Sequence, residues 1–181
     1  IAGVFCAFSI AAEIARLRGD PQAEGCEVDL SATEALFRIL EPLPVEHEVL
    51  GQVRGHVGNR TTYTAPSNMY RSGDGLYFAL VASSQTTYER LCRAIDRPDL
   101  LTDPRFVTNP QRIQNMEALD DELSQWFGAR PYQEIDAALG KHELPYSKVY
   151  DIEDVKADPH FQARQMIIRL PDPDYGTLPA P

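Results

Sequence analysis

Cysteine, basic charge and long apolar runs are all scarce in these 181 residues, and each scarcity removes a class of protein. The three cysteines, Cys6, Cys26 and Cys92, are odd in number and show no Cys-x-x-Cys spacing, which argues against a disulfide framework or a zinc site. A reducing, cytoplasmic setting is the expectation. Lysine and arginine total 17 against 27 aspartates and glutamates, so the net charge of -10 repels nucleic acid and anionic lipid. Residues 1–12 are nearly all apolar but run into Glu13, Arg16 and Arg18, too short for a hydrocarbon layer of about 30 Å at about 1.5 Å per helical residue. They also lack the basic start of a signal peptide. No membrane partner is expected. His47, His56, His142 and His160 lie apart, without a cysteine or carboxylate at ligand spacing, so no metal is expected either. Gly73-Asp74-Gly75 has no third glycine and no following helix to make a dinucleotide loop, and neither a phosphate-loop lysine nor a Gly-x-Ser-x-Gly elbow occurs.

What is present suffices for a packed core: 43% of the residues are hydrophobic, in a length that fits one domain or two small ones. Residues 1–18 read as a buried helix, basic in its last turn, stopped by Gly19 and broken by Asp20-Pro21. The alternation of Cys26, Val28 and Leu30 against Glu27 and Asp29 reads as a strand. Ser31 with Glu34 then forms a capping box for a helix presenting Ala35, Leu36, Ile39 and Leu40, which Pro42 and Pro44 end. Residues 47–66 show little periodicity and read as a domain crossing.

Residues 70–75 make a turn, and 76–82 a strand apolar on both faces and therefore central in its sheet. Helices follow over 86–95, then from the Asn109-Pro110 cap through Ile113, Met116, Leu119, Leu123 and Trp126, then after Pro131. A strand over 144–150, a short helix over 152–157 and a strand over 166–170 precede a tail containing Pro171, Pro173, Pro179 and Pro181, read as extended and poor in hydrogen bonds. A buried helix opening the chain without methionine, cap or turn, and a proline-rich end without a closing element, read as an internal piece of a longer chain.

Pro66-Ser67-Asn68-Met69-Tyr70, Asp74-Gly75, an apolar strand, an amphipathic helix, Arg97-Pro98-Asp99-Leu100 and Asp103-Pro104-Arg105-Phe106 follow one another in fixed order before Asn109. With residues 25–35 and 172–179, this series resembles the class III CoA-transferases, the family of formyl-CoA transferase with the 2-methylacyl-CoA racemases as a sister branch. The resemblance implies an α/β fold. Residues 1–46 would be the end of the first half of a Rossmann-like large domain, 47–67 a linker, 68–165 the small α/β domain, and 166–181 the return linker. It also implies an interlocked homodimer.

The family reaction moves CoA between two carboxylic acids through an aspartyl-CoA thioester, with CoA thioester and acid as substrates. The resemblance places the catalytic aspartate just upstream of Ile1, so no catalytic residue is expected in this chain, and the CoA-binding residues fall mostly further upstream. Asp29, in the run Val28-Asp29-Leu30-Ser31, and Asp74, in its turn, read as structural carboxylates. The functional part is expected at Thr61, Thr62, Tyr63 and Thr64, which match the family's glycine-rich loop over the active aspartate. That loop offers backbone N–H groups to an oxyanion. Four non-glycine residues predict a bulkier, less mobile loop and argue against a formyl/oxalyl pair; a plain linker is the alternative reading. The racemase branch places a glutamate base where Ser84 stands, and serine cannot exchange a proton as a base at neutral pH. This favours the transferase over the racemase, with a non-catalytic dimerisation and lid module as a third reading. Cys92 reads as core, and Arg97, Arg105 and Arg112 read equally as a site for an anionic group or as partners of Asp96, Asp99 and Asp103 in salt bridges.

Overall fold

The computed structural model describes residues 1–20, 22–40 and 42–180; Pro21 and Pro181, placed above in a helix break and in the proline tail, lie outside the described residues. Contacts divide the chain into two units, Ile1–His56 and Val57–Pro181, each taken by itself.

The first unit is helical. Helix α1 spans Ala2–Gly19 and ends in Arg16 and Arg18, where cations oppose the partial negative charge of the last turn. The expected burial of its first turns is not found: no residue of α1 is buried, and Phe8 is 72% exposed. Helix α2, Ala32–Arg38, starts at Ser31, whose backbone N–H donates to the Glu34 carboxylate at 3.3 Å, the capping box expected. Of its apolar positions only Ala35 is buried. One expectation is corrected. No strand forms at 26–30, because a ladder takes its hydrogen bonds from a neighbouring strand and none among the described residues pairs there. Helix α2 ends before Pro42, as expected, and Pro42 and Pro44 sit in the first turn of a further helix, α3, Pro42–Leu50. A first-turn N–H has no intrahelical acceptor, so proline costs nothing there.

The second unit is built on a three-stranded antiparallel sheet. Strands β1, Ser67–Arg71, and β2, Tyr77–Val81, pair from Ser67↔Val81 to Arg71↔Tyr77, and β3, Tyr146–Lys148, lies on the other edge of β2. The expected strand is central, but only one of its faces is buried: Phe78 and Leu80 point inward while Tyr77 and Val81 are exposed. The turn between β1 and β2 needs Gly75, whose φ is +93°. It is tied by the Ser72 N–H to the Leu76 carbonyl at 2.9 Å and by Asp74, which accepts from the Ser72 hydroxyl at 2.5 Å and the Tyr132 N–H at 3.0 Å.

Three helices and a 3-10 turn supply most of the rest of the core. Helix α4, Gln85–Ala94, buries Tyr88, Leu91 and Cys92, with Ile95 following. After a 3-10 turn at Pro98–Leu101 comes α5, Asn109–Gln114, whose cap is Thr108 in a capping box with Gln111, one residue before the cap expected at Asn109. Asn115 separates it from α6, Met116–Gly128; its side-chain amide donates to the Gln111 carbonyl at 2.9 Å, a local bond that competes with helix continuation. Leu119, Leu123 and Phe127 of α6 and Ile135 and Leu139 of α7, Tyr132–Lys141, close over Phe78. The Phe78 and Phe127 rings meet edge to face with centroids 5.0 Å apart. Each fully buried side chain of this kind contributes about 1.5–3 kcal/mol.

Helix α8, Ile152–Ala157, lies where expected, and a further short helix, α9, Pro159–Ala163, follows. The proline tail is not a bare extension: β4, Ile168–Asp172, pairs with β5, Gly176–Ala180, in a hairpin turned at Asp172, whose carboxylate accepts from the N–H groups of Asp174 and Tyr175.

Candidate functional site

Residues 57–66 carry no regular secondary structure, so their backbone must be held by side chains from elsewhere. Helix α5 supplies two of them. Asn109, in its first turn, bridges the segment with both ends of one amide: Nδ2 donates to the Tyr63 carbonyl at 3.2 Å and Oδ1 accepts from the Ala65 N–H at 3.1 Å. Arg112, one turn on, is wholly buried; its Nε donates to the Ala65 carbonyl at 2.8 Å. The rest of that guanidinium donates to Phe106 O, Ser83 O and the Gln85 side chain at 3.0–3.1 Å and lies 4.3 Å from the centroid of the Tyr88 ring. Within the segment, the Thr61 hydroxyl donates to the Thr64 carbonyl at 2.9 Å.

A second tie lies on α6. Asp120 faces inward and accepts from Arg60 Nε at 2.7 Å, Asn68 Nδ2 at 2.8 Å and the Tyr70 hydroxyl at 2.7 Å. Burial first, and then the neighbouring Asp120 charge, push the Tyr70 hydroxyl well above the ordinary phenol range, so it stays a donor. Arg60 also lines an open groove of about 610 Å³ with Ile113, Asn115, Met116, Glu117 and Asp121.

The four positions singled out in the sequence thus share one short turn with its carbonyls pulled inward. Tyr63 is exposed, the Thr62 hydroxyl is sheltered without a partner among the described residues, and no group there accepts from the backbone N–H of Thr62 or Thr64. Hydroxyl and amide donors of this kind suit a carboxylate or a thioester carbonyl.

Other positions fall into structural roles. Asp74 is the turn clamp described above, whereas Asp29 is exposed and its carboxylate has no hydrogen-bond partner among the described residues, so the structural role expected for it is not found. Ser84 caps α4, accepting from the Thr87 N–H at 3.1 Å. Arg97 pairs with Asp99 and Glu122, and Arg105 with Asp103. The salt-bridge reading of Arg112 is corrected: its acceptors are all neutral, and burial pulls its basicity down. Cys92 lies in the core, where burial pushes its thiol up to about 11. Among the described residues no group of three or more His, Cys, Asp or Glu side chains is arranged to hold a metal ion, and no helix is long and apolar enough to cross a membrane.

Asn109, Arg112 and Asp120 were missed as site-forming residues. A signal existed for two of them. Asp120 is a carboxylate on the apolar stripe of Leu119, Leu123 and Phe127, and Arg112 stands one helical turn from Asn109.

The sequence model described as CoA-transferase family III matches residues 1–181. Succinyl-CoA--D-citramalate CoA-transferase of Chloroflexus aurantiacus is 33% identical over 155 residues, covering 86% of this chain and 39% of that protein. Acetyl-CoA:oxalate CoA-transferase of Acetobacter aceti is 28% identical over 168 residues, covering 92% of this chain and 42% of that protein. The chain therefore spans about two-fifths of the length of these relatives. Among solved structures, a CaiB/BaiF family protein from Brucella suis shares the fold with a TM-score of 0.72 at 22% identity, over 98% of this chain and 49% of that one. A hypothetical protein of Mycobacterium tuberculosis does so at 0.68 and 22%, over 92% and 43%.

Proposed function

The chain belongs to CoA-transferase family III, and from that membership we propose that it is part of an acyl-CoA:carboxylate CoA-transferase working through an aspartyl-CoA thioester. The observation that carries the reading is a family match along every residue, joined to a 33% identical relative that transfers CoA from succinyl-CoA to a hydroxy-dicarboxylate.

The proposed nucleophile is an aspartate N-terminal to Ile1. Its attack on the donor thioester releases CoA thiolate and leaves a mixed anhydride; the thiolate then displaces the donor acid to give aspartyl-CoA, and the acceptor carboxylate reverses the sequence. Residues 1–46 belong in this reading to the large domain and 68–165 to the small one, with 47–67 and 166–181 as linkers, in a cytoplasmic homodimer. The turn of Thr61, Thr62, Tyr63 and Thr64 lines the acyl site. The backbone N–H groups of Thr62 and Thr64, without an acceptor among the described residues, support that role, and the absence of glycine from the turn argues against the formyl/oxalyl pair.

The test uses the intact enzyme with succinyl-CoA and an isotopically labelled acceptor acid. Label should move into CoA ester while the α-proton is retained, and Tyr63→Ala should raise KM for the CoA ester. Exchange of the α-proton without transfer of CoA would replace this reading by a racemase, against which the capping role of Ser84 already argues. A Tyr63→Ala enzyme with unchanged constants would remove the turn from the acyl site.

A further inference from the structure

We propose that Asn109 and Arg112 are positioning residues for substrate: together they set the conformation of the turn at 61–65, although neither need touch the substrate. The proposal rests on the reading of that turn as acyl-site lining, and it assigns the work to a helix 44 to 47 residues further along the chain.

The geometry is specific. The Asn109 amide reads the backbone as a donor at Tyr63 and as an acceptor at Ala65, so it fixes the orientation of two peptide groups that bracket Thr64. Arg112 takes the carbonyl of the same Ala65 from the other side. With the Ala65 N–H and C=O both claimed, the segment cannot rotate there without breaking a bond at a buried site.

The Arg112 guanidinium is held in turn by three further acceptors and the Tyr88 ring, so the reference frame is the packed core itself. A buried cation meeting only neutral acceptors is an expensive way to hold a core together, since apolar residues of equal volume do that more cheaply. Its fixed fork of donors is what a backbone segment without secondary structure requires.

The two residues differ in what their loss does to the fold. Asn109 is half-buried at the start of α5 and contributes nothing to the apolar core, so Asn109→Ala should leave the protein folded. Asn109→Asp is more telling. It keeps the acceptor for the Ala65 N–H, sets a carboxylate against the Tyr63 carbonyl, and places negative charge where a helix favours it.

The experiment measures amide hydrogen exchange, melting temperature, kcat and KM on the intact enzyme and on both variants. Expected for each is a rise of roughly tenfold in exchange over 61–66, from loss of about 1–2 hydrogen bonds, with the helical content kept and the melting temperature lowered by only a few degrees. KM for the CoA ester should rise roughly fivefold to tenfold. Asn109→Asp should be no better than Asn109→Ala in KM despite an equal or higher melting temperature. A fall in kcat with unchanged KM and a lowered melting temperature would mean a merely structural role and overturns the proposal. So does unchanged exchange over 61–66. Should Tyr63→Ala raise KM while both Asn109 variants leave it unchanged, the acyl-site reading stands and the positioning role falls. Should neither substitution move KM, the acyl-site reading itself falls.

Discussion

The Nε of Arg112 lies 2.8 Å from the carbonyl oxygen of Ala65, a wholly buried bond that ties the segment before β1 to helix α5. Removing that side chain strands several buried carbonyls at once. Arg112→Ala should therefore lower stability by about 3–4 kcal/mol, read from the urea midpoint, because each orphaned acceptor costs about 1–3 kcal/mol and some are recovered by water. Arg112→Lys keeps the charge but not the fork, and should recover only part of the loss. An Arg112→Lys protein as stable as the original would mean that charge, not geometry, is what the site requires.

Tyr70 and Asp120 should be energetically coupled. The Tyr70 hydroxyl donates to Asp120 at 2.7 Å inside the unit, so Tyr70→Phe should cost about 1.5–3 kcal/mol, the range for a bond to a charged acceptor. Asp120→Ala should cost more, since it also strands Asn68 and Arg60. The double variant should fall short of the sum by about 1 kcal/mol or more. Additive losses in denaturant melts would show that the pair does not act as one network.

Gly73 should resist substitution for lack of space. A Cβ there would meet the Gly128 carbonyl oxygen at 2.7 Å and the Arg130 carbonyl oxygen at 3.2 Å, both of them backbone, so α6 and the turn must move apart. Gly73→Ala should cost about 1–3 kcal/mol, the range for overpacking. Gly25→Ala, with no atom within 4 Å of the added carbon, should change the melting temperature little. Equal effects at the two sites would sink the steric account.

Acid should unfold the second unit through its aspartates. The Ser72 hydroxyl holds Asp74 below the usual carboxylate range, Arg97 does so for Asp99, Arg105 for Asp103, Lys148 for Asp154 and Tyr150 for Asp158. A depressed folded-state value means stability that is present above the unfolded value, about pH 4, and is lost as pH falls through the lower folded values. The urea midpoint should hold near pH 5 and drop toward pH 2, and Asp74→Asn should flatten part of that drop. A midpoint constant across the same range would refute the assignment.

By itself the sequence determined what short-range physics controls. The stripe of Tyr88, Leu91 and Cys92, the Ser31–Glu34 capping box and the helix at Ile152–Ala157 were all legible, because a helix closes its hydrogen bonds within a few residues. The family was legible too, since its motifs follow one another along the chain. Tertiary structure decided everything that needs a distant partner. No strand formed at 26–30, where pairing was lacking, while the proline tail became a strand once β4 lay beside it. Arg97, Arg105 and Arg112 look alike in the sequence, yet two pair with acids at the surface and the third is buried against the carbonyl of a residue 47 positions away. A guanidinium takes its role from whichever acceptors folding brings within about 3 Å, and spacing along the chain does not carry that information.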